Sequence, residues 1–474
     1  MKKIYFITGS QDLYGEDTLK QVALDSKEMV AFLDEKISKV EIVWQPTVRS
    51  SEEAEDVLIK ASADKDCVGV ITWMHTFSPA KMWIKGLQAL TKPLLHLHTQ
   101  YNRRLPYDSI DMDFMNLNQA AHGDREYGFI CTRLGIKREV VAGYYKNESV
   151  IKRINRFVDV ACAMNYSHNL RVAMFGNNMR DVAVTDGDRV ESEIRYGWNV
   201  NYYGIGDLVE LVNAVTEEQV DAKLNELLTK YELNTDDTAS VKEQVKYIIA
   251  LEKFIADNRI GAYTDTFEDL HGLKQLPGLA TQEVMSKGIG FGPEGDHKTS
   301  ALMAVLCNMA EGREGATAFL EDYTYDLPEG EEIELASHML EVSPVFAASK
   351  PKIEVHTLGI GGKEAPARLV FDGIEGKGIA VSMVDMGDRF RLICADIELV
   401  KQPEPMPKLP VARVMWKILP DFSTGAEKWI YAGGAHHAVV STALTPEDIA
   451  LFAKLTDTLL LAEVWPSLTL RVYV

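Results

Sequence analysis

Ile4-Tyr-Phe-Ile-Thr8-Gly9-Ser10 opens the chain as a short apolar run closed by a turn. An apolar run ended by Gly9-Ser10 reads as a buried strand followed by a turn. A helical pattern follows from about Glu16 to Leu33, then a strand at Val40–Val43. A Ser-Ser-Glu-Glu run around Ser51 caps a helix reaching about Ala63. Val68–Trp73 is a strand, Pro79–Leu90 a helix and Pro93–Leu97 a strand. Strands alternating with helices predict a parallel sheet covered on both faces, with its ligand beyond the carboxyl ends of the strands. Gln11, Leu13, Tyr14, His75 and Thr76 fall there.

Working outward, roughly 109–165 reads as helical with polar interruptions, the densest being Asn116-Leu-Asn-Gln-Ala-Ala-His122-Gly-Asp-Arg125. A second strand–helix series begins with a strand at Arg171–Phe175 and another at Trp198–Tyr203. Helices are expected at Asp207–Val215, Glu217–Lys230 and Ser240–Asn258, a surface loop at Glu232–Ala239 and a strand at Ala262–Phe267. After about residue 325 the texture changes. Lys352–Thr357, Ala367–Phe371, Gly378–Val384 and Phe390–Leu399 are strands between glycine turns with no long helix among them. This predicts a mostly antiparallel, barrel-like domain. The expected class is α/β: two Rossmann-like, doubly wound domains over 1–168 and 169–320, then a β-rich domain over 321–474.

Composition bounds the function. The chain has 474 residues, 46% hydrophobic and 25% charged, with a net charge of −20. It is long enough for two to four cores. An acidic surface repels phosphate backbones, so no nucleic-acid partner is expected. Five scattered cysteines without a CxxC fit reduced thiols and a cytoplasmic setting. No stretch approaches the length of a membrane span or a signal-peptide core.

The chemistry concentrates in Gly288-Ile-Gly-Phe-Gly-Pro-Glu294-Gly-Asp-His-Lys-Thr-Ser, Glu321-Asp-Tyr-Thr-Tyr-Asp, Ser337-His338-Met-Leu-Glu-Val342 and Gly433-Gly-Ala-His436-His437. Gly290-Phe-Gly-Pro-Glu-Gly295 matches the dinucleotide fingerprint, but it follows a helix-like run, and Glu294 sits where a pyrophosphate needs positive potential. Leu358-Gly-Ile-Gly-Gly-Lys363 lacks Walker spacing and reads as a hairpin turn. No nucleotide is expected. Glu294 could be a mere dipole complement, Glu321 part of a solvated loop and His338 a core histidine. Of the adjacent His436 and His437, pointing different ways, one is expected to ligate. Together, two glutamates and two histidines make an oxygen/nitrogen set suited to Mn²⁺, with Co²⁺ or Fe²⁺ as substitutes.

These stretches resemble the L-arabinose isomerase family, and the resemblance covers essentially the whole chain. It is carried also by Gly9-Ser-Gln-Asp-Leu-Tyr-Gly15, Ile71-Thr-Trp-Met-His-Thr-Phe-Ser-Pro79, Asp113-Phe-Met-Asn-Leu-Asn118, Val182-Ala-Val-Thr-Asp-Gly-Asp188 and Phe267-Glu-Asp-Leu270. The resemblance implies three domains, a homo-oligomer of six or four copies with active sites near subunit contacts, and one Mn²⁺ per subunit. It implies Glu294, Glu321, His338 and His437 as metal ligands and the two glutamates as the acid/base pair. Gln11, Leu13, Met179 and Phe267 match sugar contacts, and His122 completes the site. The implied reaction is L-arabinose to L-ribulose through a cis-enediol, the first step of arabinose catabolism, with D-galactose to D-tagatose as a further conversion. One departure stands out: the family usually has Trp after Glu-Gly-Asp, and this chain has His297, placed to alter the pocket wall or add a ligand. An isomerase of a related sugar such as L-fucose, or a non-catalytic sugar-binding regulator, are the alternatives.

Overall fold

The computed structural model describes residues 1–462; 463–474, the end of the expected third domain, lie outside the described residues. The chain forms two compact units, Met1–Asn165 and the remainder from Tyr166.

The first unit is built on β1 (Lys3–Gly9), β2 (Glu41–Trp44), β3 (Cys67–Met74), β4 (Leu94–His98) and β5 (Arg138–Ala142). All are parallel, in the order β2-β1-β3-β4-β5. β3 is buried at all eight positions, as a central strand covered on both faces must be. The strand order reverses between β1 and β3, so Gln11 and Leu13 follow one side of the switch point, and His75 and Thr76 the other. Gly9 closes β1 because a Cβ there would lie 2.6 Å from Met74 Sδ and 2.7 Å from Ser78 Oγ. β5 corrects the expectation of helix throughout 109–165. It is an edge strand with only Val141 buried, so no apolar run marks it.

The second unit begins with β6 (Arg171–Phe175), β7 (Asn199–Tyr203), β8 (Glu232–Leu233), β9 (Ala262–Asp265) and β10 (Gly290–Phe291). Four of these form a parallel sheet in the order β10-β9-β6-β7. The remaining strands are β11 (Thr317–Asp326), β12 (Ile333–Ser337), β13 (Lys352–Val355), β14 (Ala367–Val370), β15 (Gly376–Asp385), β16 (Phe390–Val400), β17 (Val414–Ile418), β18 (His437–Ser441) and β19 (Leu459–Ala462). β8 pairs in parallel with β13, so the expected loop at Glu232–Ala239 starts as a short strand.

Six strands close an antiparallel ring, β15-β18-β11-β12-β17-β16 and back to β15, with β19 added in parallel to β16. The α/β class with a terminal barrel is therefore as the sequence indicates. Two helices within the barrel region, Phe422–Ala432 and Pro446–Leu455, were not among the elements expected there. Their signals are legible: Asp421 accepts from Thr424 N–H, Gly433 ends the first helix at φ +80°, and Thr445 and Asp448 make a capping box around Pro446.

Helix His297–Met309 joins sheet to barrel. It packs against β6 and β9 on one side and β11, β15 and β18 on the other. It is buried on every face over most of its length; Ala301–Leu306 are apolar all round, and the polar first turn is buried with its side chains hydrogen-bonded. Its amino end therefore lies where the carboxyl ends of β9 and β10 approach the barrel wall.

Candidate active site

Glu294 sits in the turn from β10 into helix His297–Met309. The glycines before it serve packing: a Cβ on Gly290 would lie 2.0 Å from Ser300 O, and one on Gly292 would lie 2.8 Å from Asp296 O. The dinucleotide-like spacing is thus a close approach of strand to helix. Glu294 itself takes φ +61°, a left-handed conformation rare outside glycine. Two backbone bonds hold it there, Met179 N–H to Glu294 O at 2.9 Å and Gly295 N–H to Asp265 O at 3.1 Å. Such strain costs on the order of 1 kcal/mol and persists where the surroundings impose it, commonly at functional sites.

The barrel's register supplies the other groups. β11 lies between β18 and β12, so Glu321 stands opposite His437 on one side and opposite Ser337, the residue before His338, on the other. Residues 116 apart in sequence become neighbours through two ladders of backbone hydrogen bonds. Phe319, one turn of the pleat away on β11, packs its ring against both imidazoles, at 5.6 Å from His338 and 5.3 Å from His437.

Each imidazole is held by a carboxylate on one nitrogen and turns the other toward a glutamate. His437 Nδ1 bonds Asp296 Oδ2 at 3.0 Å, and its Nε2 lies 3.9 Å from Glu294 Oε2. His338 Nδ1 bonds Glu341 Oε2 in a very short contact, and its Nε2 lies 3.4 Å from Glu321 Oε2. Asp296 is in turn held by Lys298 Nζ at 3.1 Å and Thr299 Oγ1 at 2.7 Å. A carboxylate on the distal nitrogen fixes the tautomer and the ring plane and raises the basicity of the free nitrogen. Asp296 and Glu341 are positioning residues that the sequence reading quoted without assigning a role. Their signal was position: each lies two or three residues from a predicted ligand.

His436 adds a group the sequence reading set aside. Its Nε2 lies 3.3 Å from Glu294 Oε2, and Glu294, His436 and His437 offer ligand atoms within 4.8 Å of one another. The expectation that the adjacent histidines diverge is corrected. His437 starts β18 while His436 lies in the preceding turn, so strand alternation does not separate them. Their rings are 4.3 Å apart.

Charge follows this geometry. Burial would lower the His338 pKa, but Glu341, Glu321 and Glu294 outweigh it and push it up to about 9. Burial would raise Glu294, but the His436 hydrogen bond and the nearby imidazoles hold it below the usual range. Asp296 is held far below it, burial being overcome by Lys298 and His437.

A cavity of about 330 Å³ opens onto Glu294, Glu321 and His338. Met179, Phe267, Leu270 and Ile360 give it apolar wall, and Asp265 also lines it. Met179 and Phe267, both expected at the sugar, are therefore beside the glutamates. Gln11, Leu13 and His122 belong to the first unit. There Leu13 is 83% exposed, and the exposed His122 packs its ring at a tilt against Phe77, centroids 4.4 Å apart. His297 does neither thing expected of it. It is fully buried, its Nε2 pairs with Ser192 Oγ at 3.1 Å, and it is not among the cavity-lining residues. Burial and Lys298 push its pKa down to about 3, so it is a neutral packing group.

The residues present fit a divalent cation. His437 Nε2 is buried without a hydrogen-bond partner among the described residues, although its Nδ1 is firmly held. A buried, oriented lone pair facing carboxylates lacks only a Lewis acid. The donors are oxygen and imidazole nitrogen without thiolate, the set that suits Mn²⁺ and its neighbours. Among the described residues no disulfide joins the cysteines, and no helix is long and apolar enough to cross a membrane.

Comparison with known proteins places this geometry in a family. Sequence models of the L-arabinose isomerase N-terminal, central and C-terminal domains match residues 1–169, 171–312 and 316–459. The L-arabinose isomerase of Halalkalibacterium halodurans is 51% identical over 464 residues, covering 96% of this chain and 92% of that protein. Those of Geobacillus stearothermophilus and Shouchella clausii are each 52% identical, covering 96% of this chain and 92% and 93% of their own.

Proposed function

Because the chain belongs to the L-arabinose isomerase family, we propose that it converts L-arabinose to L-ribulose as the first step of arabinose catabolism, with D-galactose to D-tagatose as a further conversion. It is an aldose–ketose isomerase, and the observation that carries the reading is the convergence of Glu294, Glu321 and His338 on one cavity, with His437 Nε2 3.9 Å behind Glu294 and each histidine backed by a carboxylate.

The reaction moves hydrogen between C1 and C2 of the open-chain sugar. When bound by these four residues, Mn²⁺ supplies the Lewis acidity that makes the C2 proton removable. The glutamates handle the protons. Glu294 is engaged by His436 Nε2 at 3.3 Å and held below the usual carboxylate range. In this reading Glu321 takes the C2 proton, and Glu294 handles the proton traffic on the sugar oxygens. The product of the first transfer is a cis-enediol, which is reprotonated at C1. The apolar wall of Phe267, Met179 and Leu270 excludes water from the reacting carbons.

Gln11, Leu13, Met179, Phe267 and His122 contact the sugar in this reading. The protein is a cytoplasmic homo-oligomer of four or six copies with domains over 1–168, 169–320 and 321–474.

The test is a ketose colour assay on L-arabinose with and without chelator, repeated across Mn²⁺, Co²⁺ and Fe²⁺. Turnover abolished by chelator and restored best by Mn²⁺ is expected. A metal-independent rate, or binding of L-arabinose without turnover, overturns the reading. Substrate deuterated at C2 should lose label to water, whereas complete retention at C1 would replace the enediol with a hydride shift.

A further inference from the structure

Of the acidic groups lining the cavity, the mechanism above leaves Asp265 and Asp322 unused, and Asp322 also lines a second pocket beside Glu334. Asp265 ends β9, at the carboxyl edge of the parallel sheet where ligands of such sheets bind. Its backbone oxygen accepts from Gly295 N–H at 3.1 Å, which ties it to the Glu294 turn. Its side chain lines the cavity with Glu294, Glu321, His338 and Phe267. Asp265 is 7% exposed, yet among the described residues its carboxyl takes part in no hydrogen bond or ion pair.

A buried carboxyl without a partner is expensive, and native folds keep very few. Its neighbours do not account for it. Of the charged groups that act on it, Glu341 is committed to His338 Nδ1, and His338 has both nitrogens turned to glutamates. A carboxyl with free lone pairs lining a small cavity matches a hydroxyl, which can donate to it.

Resting on the isomerase reading, we propose that Asp265 hydrogen-bonds a hydroxyl of the sugar beyond the two oxygens that react, and so helps determine which sugars the cavity accepts. The contact would be made in ground state and transition state alike. Its loss should therefore appear in KM and leave kcat nearly unchanged. Asp265 also carries a stability cost that its removal should relieve, a combination expected of a binding group and not of a structural one.

The experiment uses the full chain loaded with Mn²⁺ and compares wild type, Asp265→Ala and Asp265→Asn. Measured are kcat and KM on L-arabinose, Kd for L-arabitol (the same carbon chain without the carbonyl), Kd for Mn²⁺, and Tm. For Asp265→Ala, KM and the L-arabitol Kd should rise about tenfold or more. Its kcat should stay within about threefold, its Mn²⁺ affinity should not change, and its Tm should be no lower than wild type. Asp265→Asn, which keeps a donor and an acceptor, should restore most of the sugar affinity. Unchanged sugar affinity in Asp265→Ala overturns the inference. So does a parallel loss of Mn²⁺ affinity, which would make Asp265 a ligand of the cation, and so does a lowered Tm in Asp265→Asn with sugar affinity intact, which would make it structural. A wild-type protein that does not turn over L-arabinose refutes the isomerase reading itself, and this inference with it; turnover with an inert Asp265 refutes only the inference.

Discussion

Both units hold histidines against carboxylates, and only one of them makes a site from the pairing. In the first unit His75 Nε2 bonds Asp25 at 2.8 Å, while His96 Nε2 at 2.8 Å and His98 Nδ1 at 2.6 Å share Asp124. In the second, His338 is held by Glu341 and His437 by Asp296. The near side of each ring is alike; the far side differs. The far nitrogens of His75 and His96 are buried without a hydrogen-bond partner among the described residues and face no second carboxylate, and aromatic rings cover both imidazoles, Trp73 stacked at 4.4 Å on His75 and Tyr127 edge-on at 5.0 Å to His96. The far nitrogens of His338 and His437 meet Glu321 and Glu294 instead. A carboxylate behind an imidazole therefore orients it wherever it occurs. In the reading proposed above, a second carboxylate in front of it is what fits an oriented imidazole to hold a cation.

The comparison can be broken at four points. Glu321→Gln removes the front carboxylate's charge while keeping its shape, and turnover should fall roughly 10²–10⁴-fold in a ketose assay while L-arabinose still binds. Turnover within tenfold of wild type would show that the front carboxylates do no proton transfer. Asp296→Asn loosens the backing of His437, and Mn²⁺ affinity measured by titration calorimetry should drop about 10–100-fold. The effect is smaller because the ligand atom itself survives. His96→Ala, the counterpart in the first unit, should leave Mn²⁺ affinity unchanged and lower stability by about 1–3 kcal/mol in urea, since Asp124 loses a buried partner.

The smallest effect concerns carboxyls with no imidazole at all. Asp322 and Glu334 both line a small pocket at the barrel wall, where Trp416 Nε1 donates to Glu334 at 3.1 Å. Asp322 is pushed well up by burial and by the charge of Glu334, and Glu334 is pushed up by burial. A carboxyl whose folded pKa is raised stabilises the fold below its unfolded pKa, and that contribution is lost as pH rises through the folded value. Tm should therefore fall as pH rises from about 5 to about 8. Glu334→Gln should flatten the fall, and a slope unchanged by the substitution would show that other groups cause it.

Legibility varied with how local the cause was. β1, β3 and the Arg171–Phe175 strand stand out because a central strand buried on both faces must be an unbroken apolar run. β5 does not, because an edge strand answers to one face only. The caps at Asp421 and Thr445 were written plainly in the chain but lay in a tract read for strands. His297 draws attention in the sequence because it stands where the family usually has Trp after Glu-Gly-Asp. As the first residue of a helix buried all round it faces Ser192.

The chain by itself determined the α/β order, the barrel tract and the residue types available to hold a cation, since these depend on periodicity and composition within windows of a dozen residues. Only the tertiary structure decided which nitrogen of each histidine faces which carboxylate, that His436 joins Glu294, and that Asp265 stands without a partner in the cavity. Those facts follow from strand register and from one buried helix that fixes sheet against barrel, and neither acts over distances a local pattern can record.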